Sequence, residues 1–190
     1  MILYLHGFNS APASNKARTL RAYLEARGLA QRFACPALPH RPAEAVALVE
    51  SEIARCGGRP TLVGSSLGGF YATHFAERWD LRAVLINPAI TPHVGLEPFL
   101  GTQQNLYTGA TYELTRADLE GWRELVVERV DPERYLLLLE TGDEVLDWRK
   151  AARKYEGARS AIRDGGDHTL RSFAEHVPRI LAFAGLQAPA

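Results

Sequence analysis

Short apolar runs alternate with segments of helical period along most of this chain. Ile2–Leu5 is the first apolar run. Segment 32–35 (closed by Pro36), Thr61-Leu62-Val63, Ala83–Ile86 (closed by Asn87-Pro88), 135–139 and Arg159–Arg163 bring the predicted strands to about six. Between them, Leu20, Tyr23 and Leu24 share a helical face, with Ser14 as N-cap and Gly28 as stop. Val46, Val49, Ile53 and Cys56 recur at helical spacing before Gly57-Gly58, and 70–79 and 147–155 read as further helices. Ser172 and Glu175 have capping-box spacing. Pro178 is incompatible with a regular helix interior, so the main last helix is predicted over 178–184, with the proline in its first turn. Repeated strand–helix alternation implies an α/β fold: a mostly parallel sheet with helices on both faces. Segment 90–116 breaks the rhythm. Its Pro92, Gly95, Pro98, Gly101 and Gly109 alternate with Leu96, Phe99, Leu100, Leu106, Tyr107 and Tyr112. It is too long for a plain connector and too apolar for a solvated loop, which predicts a short lid or binding segment. With no repeat, linker or low-complexity tract, 1–190 reads as a single domain.

Composition narrows the function. The 190 residues are 46% hydrophobic, enough for one sizeable core. Lys+Arg and Asp+Glu are both 22, which lacks the basic excess of a nucleic-acid binder, so no nucleic-acid partner is expected. No apolar run approaches the ~20 residues of a membrane span. The start, MILYLHGF, lacks the basic n-region of a signal peptide, so a cytoplasmic protein is expected. Cys35 and Cys56 have no metal-type spacing and are read as reduced core residues, with no metal site. Nothing in the sequence speaks to oligomeric state.

The chemistry begins at VGSSLGGF, residues 63–70. G-x-S-x-G fits in one frame only, with Ser66 at its centre and Ser65 a small flank packed beneath the turn. A strand that turns sharply into a helix presents the central side chain above the sheet. Residues two before and two after it lie too close to neighbouring backbone to carry a Cβ. Gly69, outside the motif, is expected to let the helix pack close to the sheet. A serine needs a base and a group that orients the base. Of the six histidines, His168 in DGGDH follows the last predicted strand and so faces the same sheet edge as Ser66. His74 points away down the elbow helix, His176 is read as a surface residue, and His40 and His93 as solvated loop residues beside prolines. The acid should lie between serine and histidine in the chain. Asp143 follows Gly142 where a buried strand runs out. Asp147 suits a helix N-cap but stays an alternative, as do Glu140 and Glu144. Backbone amides of Leu67 and, after His6-Gly7, of Phe8 would stabilise an oxyanion. Phe8, Leu96, Phe99, Leu106 and Tyr107 are the candidates for binding an acyl group.

The motifs HGFNS, GSSLGG, TGDEVLDW and GGDH, in this order, resemble the α/β-hydrolase superfamily and, more narrowly, the YqiA-like esterases of bacteria. The resemblance spans nearly the whole chain, including INPAI at 86–90 and LYTG at 106–109, where Leu106 stands in place of a proline. It implies a minimal hydrolase sheet, the first two strands missing and the rest in the order 2-1-3-4-5-6. It also implies a Ser66–His168–Asp143 triad and cofactor-free hydrolysis of small-molecule acyl esters or thioesters. An acyltransferase on the same triad, or a non-catalytic binding module with this fold, would use the same residues differently.

Overall fold

A strand that is apolar at every position needs cover on both faces of its sheet. In the computed structural model, which describes residues 1–57 and 59–186, β1 (Ile2–Leu5) is such a strand and is buried throughout. It is followed by α1 (Asn15–Glu25), β2 (Phe33–Ala34), α2 (Pro42–Arg55), β3 (Thr61–Ser65), α3 (Leu67–Trp79), β4 (Ala83–Ile86) and α4 (Pro92–Gly95). Then come β5 (Gly101–Gln104), β6 (Thr111–Leu114), α5 (Arg116–Glu124), β7 (Tyr135–Glu140), α6 (Trp148–Lys154), β8 (Arg159–Arg163) and α7 (Phe173–Phe183). Six strands form one parallel sheet in the order β2-β1-β3-β4-β7-β8, the order the resemblance implies, while β5 and β6 form a separate antiparallel hairpin.

Alternate residues of each strand face opposite ways, and the core divides accordingly. Leu3, Leu5, Leu62, Leu85 and Leu137 pack with Ala45, Val49 and Ile53 of α2, with Tyr71 and Phe75 of α3, and with Trp122 of α5. Ile2, Tyr4, Val63, Val84 and Leu138 pack with Leu20 and Leu24 of α1 and with Val177, Ile180 and Leu181 of α7. The chain leaves β1 toward β2 on one side, then returns past it to β3 on the other. With right-handed crossovers, that reversal puts α1 and α2 on opposite faces and sends the chain after β1 and after β3 toward opposite faces of the sheet. A crevice at the carboxyl edge of the sheet results.

Several expectations need correction. The last helix starts at Phe173 and carries Pro178 inside it. The missing N–H costs one helical hydrogen bond, to the Ala174 carbonyl, but Val177, Ile180 and Leu181 bury a full stripe that holds the helix together. Ser172 and Glu175 make no capping box: the Ser172 hydroxyl donates to Glu140, and Glu175 pairs with Arg163. The capping box lies instead at Thr115 and Asp118, opening α5, a helix the hydrophobic pattern had not revealed. The elbow helix begins at Leu67 rather than 70, and α1 ends at Glu25, before Gly28. Ser14 is the N-cap residue of α1 but makes no side-chain cap bond. Of Gly57-Gly58, the second lies outside the described residues. Segment 90–116, read from sequence as a short lid or binding segment, holds α4, a 3₁₀ turn and the β5–β6 hairpin. Cys35 and Cys56 are only partly buried. Among the described residues no helix is long and apolar enough to cross a membrane.

Pro178 is exposed on α7. Pro178→Ala restores a backbone donor without removing core contacts, so it should stabilise the protein by about 1 kcal/mol or more. Thermal unfolding should show a melting temperature raised by a few degrees.

Candidate active site

The turn from β3 into α3 carries Ser66 at φ 54°, a left-handed value uncommon for serine. Neighbouring backbone holds it there. The Ser66 N–H donates to the Ile86 carbonyl (3.0 Å), and the Ser66 carbonyl accepts from the amides of Gly69 (2.9 Å) and Ala89 (3.1 Å). The glycines leave no room for a side chain. A Cβ on Gly64 would lie 2.3 Å from the Gly68 carbonyl oxygen, and one on Gly68 would lie 1.9 Å from that of Leu5. A Cβ on Gly69 would meet Pro88, so that glycine admits the loop after β4. Ser65 ends β3 and is buried.

Two further loops reach Ser66 from the ends of β7 and β8. His168 Nε2 is 3.1 Å from Ser66 Oγ, and His168 Nδ1 is 2.8 Å from Asp143 Oδ2. A carboxylate accepts only, so Nδ1 carries the proton and Nε2 is free to accept from the serine hydroxyl. The second Asp143 oxygen accepts from the amides of Val145 (2.9 Å) and Leu146 (2.8 Å), and the side chain is buried. Asp147 lies elsewhere, capping α6 by accepting from the Arg149 amide. Glu144 accepts from the His168 amide at 3.0 Å. Glu140 is 1% exposed and faces the segment that bears His168. Burial alone would raise its carboxyl pKa. Hydrogen bonds from the Ser172 hydroxyl and from the amides of Ser172, Asp167 and Arg171 outweigh that and hold it below the ordinary glutamate range.

The loop after β1 lies against the serine: a Cβ on Gly7 would stand 3.3 Å from Ser66 Cβ. The His6 ring is 4% exposed, and burial lowers its pKa and keeps it neutral. Its Nε2 accepts from the Leu38 amide (3.0 Å), so Nδ1–H must donate to the Gly7 carbonyl (3.1 Å). A trans peptide holds its C=O and N–H on opposite sides, so fixing the Gly7 carbonyl also fixes the direction of the Phe8 N–H. Among the described residues the amides of Phe8 and Leu67 find no acceptor.

A cavity of about 250 Å³ opens beside this loop, bounded by His6, Phe8, His40, Leu67, Tyr71 and Tyr112. Of the five proposed acyl-binding residues only Phe8 lies on its wall. Phe99 touches the edge of the Phe8 ring, with centroids 6.4 Å apart. Leu96 is partly buried against the core, while Leu106 is 81% exposed and Tyr107 is 49% exposed. The loop beside the cavity is tied to the hairpin through Asn9, which donates to Gln103 (3.2 Å) and accepts from the Tyr112 hydroxyl (2.5 Å). Burial, then the charge of Asp118, pushes the Tyr112 phenol up to about 12, so it stays a donor.

Tyr71 carries no sequence signal for this wall, whereas Tyr112 belongs to the apolar set of segment 90–116 and His40 is expected in a solvated loop. Tyr71 sits on the elbow helix, and His40 stacks on Tyr112 at 4.2 Å rather than standing in solvent. His176 is likewise partly buried, against Ser172, and His74 points to Leu125. Among the described residues no group of three or more His, Cys, Asp or Glu side chains is arranged to hold a metal ion.

Gly68→Ala would drive a Cβ into the Leu5 carbonyl and is expected to destabilise the protein by about 3 kcal/mol or more, measured by denaturant unfolding. Acid should also act through Glu140. Its folded pKa is depressed, so its stabilisation is present above the ordinary value of 4.5 and lost as pH falls through the lower folded value. The melting temperature should therefore fall more steeply below about pH 4.5 in the wild type than in Glu140→Gln.

Comparison with known proteins agrees with this architecture. The model of the uncharacterised protein family UPF0227 matches residues 1–185. A UPF0227 protein of Citrobacter koseri is 26% identical over 98% of this chain and 99% of its own length. Among solved structures, a protein of Agrobacterium vitis S4 superposes with a TM-score of 0.74 at 18% identity, over 96% of this chain and 87% of that one. A monoacylglycerol lipase of Paleococcus ferrophilus superposes with a TM-score of 0.69 at 16% identity, over 98% and 94%. Sequence match and superposition together lead to one assignment: this chain belongs to the UPF0227 family and has a minimal α/β-hydrolase fold.

Proposed function

We propose that this protein is a serine esterase that hydrolyses small-molecule acyl esters, thioesters included, through an acyl-enzyme on Ser66, His168 and Asp143. The observation that carries this reading is the unbroken hydrogen-bond chain Ser66 Oγ–His168 Nε2 (3.1 Å) and His168 Nδ1–Asp143 (2.8 Å), set on a strained turn at the sheet edge. The lipase named above shares the fold, which supports the reaction class.

As Ser66 Oγ bonds to the ester carbonyl carbon, its proton passes to His168 Nε2. Asp143 accepts from Nδ1–H and stabilises the imidazolium. The carbonyl oxygen becomes an oxyanion, facing the N–H groups of Phe8 and Leu67. The carbon–leaving-group bond then breaks, and His168 returns the proton to the departing alcohol or thiol. Water repeats the sequence on the acyl-enzyme, losing a proton to His168, and releases the acid and Ser66. The cavity walled by Phe8, Tyr71 and Tyr112 offers an aromatic surface for the acyl group. Phe99, Leu96, Leu106 and Tyr107, outside that wall, would reach a substrate only along the approach to it.

Ser66→Ala should lower turnover of a p-nitrophenyl acyl ester by at least ~10³-fold with the fold intact, and should abolish fluorophosphonate labelling. Unchanged turnover would sink the assignment. Asp143→Asn should cost ~10²–10⁴-fold, while Asp147→Asn, which keeps an N-capping side chain, should stay within about twofold. A larger loss at Asp147 would reverse their roles.

A further inference from the structure

His168 lies in a stretch, 164–172, that has no helix or strand of its own and contains Gly165 and Gly166 at φ 73° and 72°. Such a stretch would leave an imidazole many positions to sample. Instead its backbone is gripped from strand ends. Glu140, the last residue of β7, accepts through Oε2 from the amides of Asp167 (2.9 Å) and Arg171 (3.0 Å). Its Oε1 accepts from the Ser172 amide (2.9 Å) and hydroxyl (2.7 Å). Asn87, just after β4, donates through Nδ2 to the carbonyls of Asp167 and His168, both at 3.2 Å, and its Oδ1 accepts from the Glu140 amide at 3.2 Å.

Both side chains are almost wholly buried, Glu140 at 1% and Asn87 at 2% exposure. Burying a carboxylate is costly unless its oxygens are saturated with donors. Here four donors saturate it, and all four come from the segment that carries the base. A Cβ on Gly166 would fall 2.0 Å from Glu140 Oε2, so the chain there must be glycine for the carboxylate to sit where it does. Neither Glu140 nor Asn87 bonds the imidazole or Ser66.

We propose that Glu140 and Asn87 are positioning residues: together they clamp the backbone on both sides of His168 and so set the reach of its Nε2 to Ser66. This role rests on the acyl-transfer reading above. It differs from general stabilisation in acting through one side chain, and that difference can be measured. Three variants are compared on a p-nitrophenyl ester: Glu140→Ala, Glu140→Gln and Asn87→Gly, the last keeping the positive φ (39°) of that site accessible. Glu140→Ala should lower kcat by ~10–100-fold with KM changed by less than about threefold. Glu140→Gln, which keeps one accepting oxygen, should fall in between, and Asn87→Gly should lose ~5–20-fold in kcat. In a His168→Ala background the same substitutions should change the residual rate by less than about twofold, because they act through the missing ring. An equal loss in both backgrounds, or a loss confined to KM, overturns the role. If Glu140→Ala shows no cooperative unfolding transition, Glu140→Gln and Asn87→Gly carry the test. Ser66→Ala measured alongside separates the two failures. Turnover that survives it overturns the nucleophile, whereas turnover that Ser66→Ala abolishes but the clamp variants leave untouched overturns the clamp alone.

Discussion

The whole site hangs on how closely the β3–α3 turn approaches the end of β1. Gly68 sits where any side chain would strike the Leu5 carbonyl, and Gly64 sits where one would strike Gly68 itself. With that close approach, the parallel pairing of β1 with β3 runs to the last residue of β1, Leu5 opposite Gly64. The same approach drops the His6–Phe8 loop directly onto Ser66. Widening the turn by one methyl group would push the end of β1, and the His6–Phe8 loop with it, away from Ser66.

Around that fixed point the structure uses buried polar side chains to give irregular loops a single shape. His6, neutral by burial, holds one peptide through its carbonyl. Glu140 and Asn87 do the same for the stretch around His168. Gly142 lets the Asp143 loop pass within contact of Gly165 and Gly166, where a Cβ would lie 2.5 Å from the Gly166 carbonyl. Each loop is therefore held by buried polar groups with satisfied partners as well as by apolar anchors such as Leu170, which is buried in the core.

The β5–β6 hairpin joins this arrangement from the side. Its contacts through Gln103 and Tyr112 converge on Asn9, itself at φ 51°, one residue beyond Phe8. The hairpin is thus a wall of the cavity and a strut for the loop after β1. A segment with its own antiparallel pairing is stiffer than the lid pictured from composition, because its backbone groups are already paired.

How much of this could be read without coordinates follows from the range of the forces involved. Apolar runs and glycine positions report on local geometry and burial, so the six strands of the sheet and the turn at Ser66 were legible. The placing of Asp143 and His168 after later strands followed from chain order. Elements whose stability is tertiary were not legible. Helix α7 tolerates Pro178 because its buried stripe outweighs one lost hydrogen bond, and the Ser172–Glu175 spacing mimics a cap while Ser172 serves Glu140. The cavity wall brings together His40, Tyr71 and Tyr112, which are far apart in the chain and meet only when the hairpin folds back over the sheet edge. The sequence by itself determined the sheet, the elbow and the order of the candidate residues, because these depend on neighbours along the chain. Only the tertiary structure decided which side chains hold the loops and line the pocket, because those contacts join strand ends and loops that sequence distance does not relate.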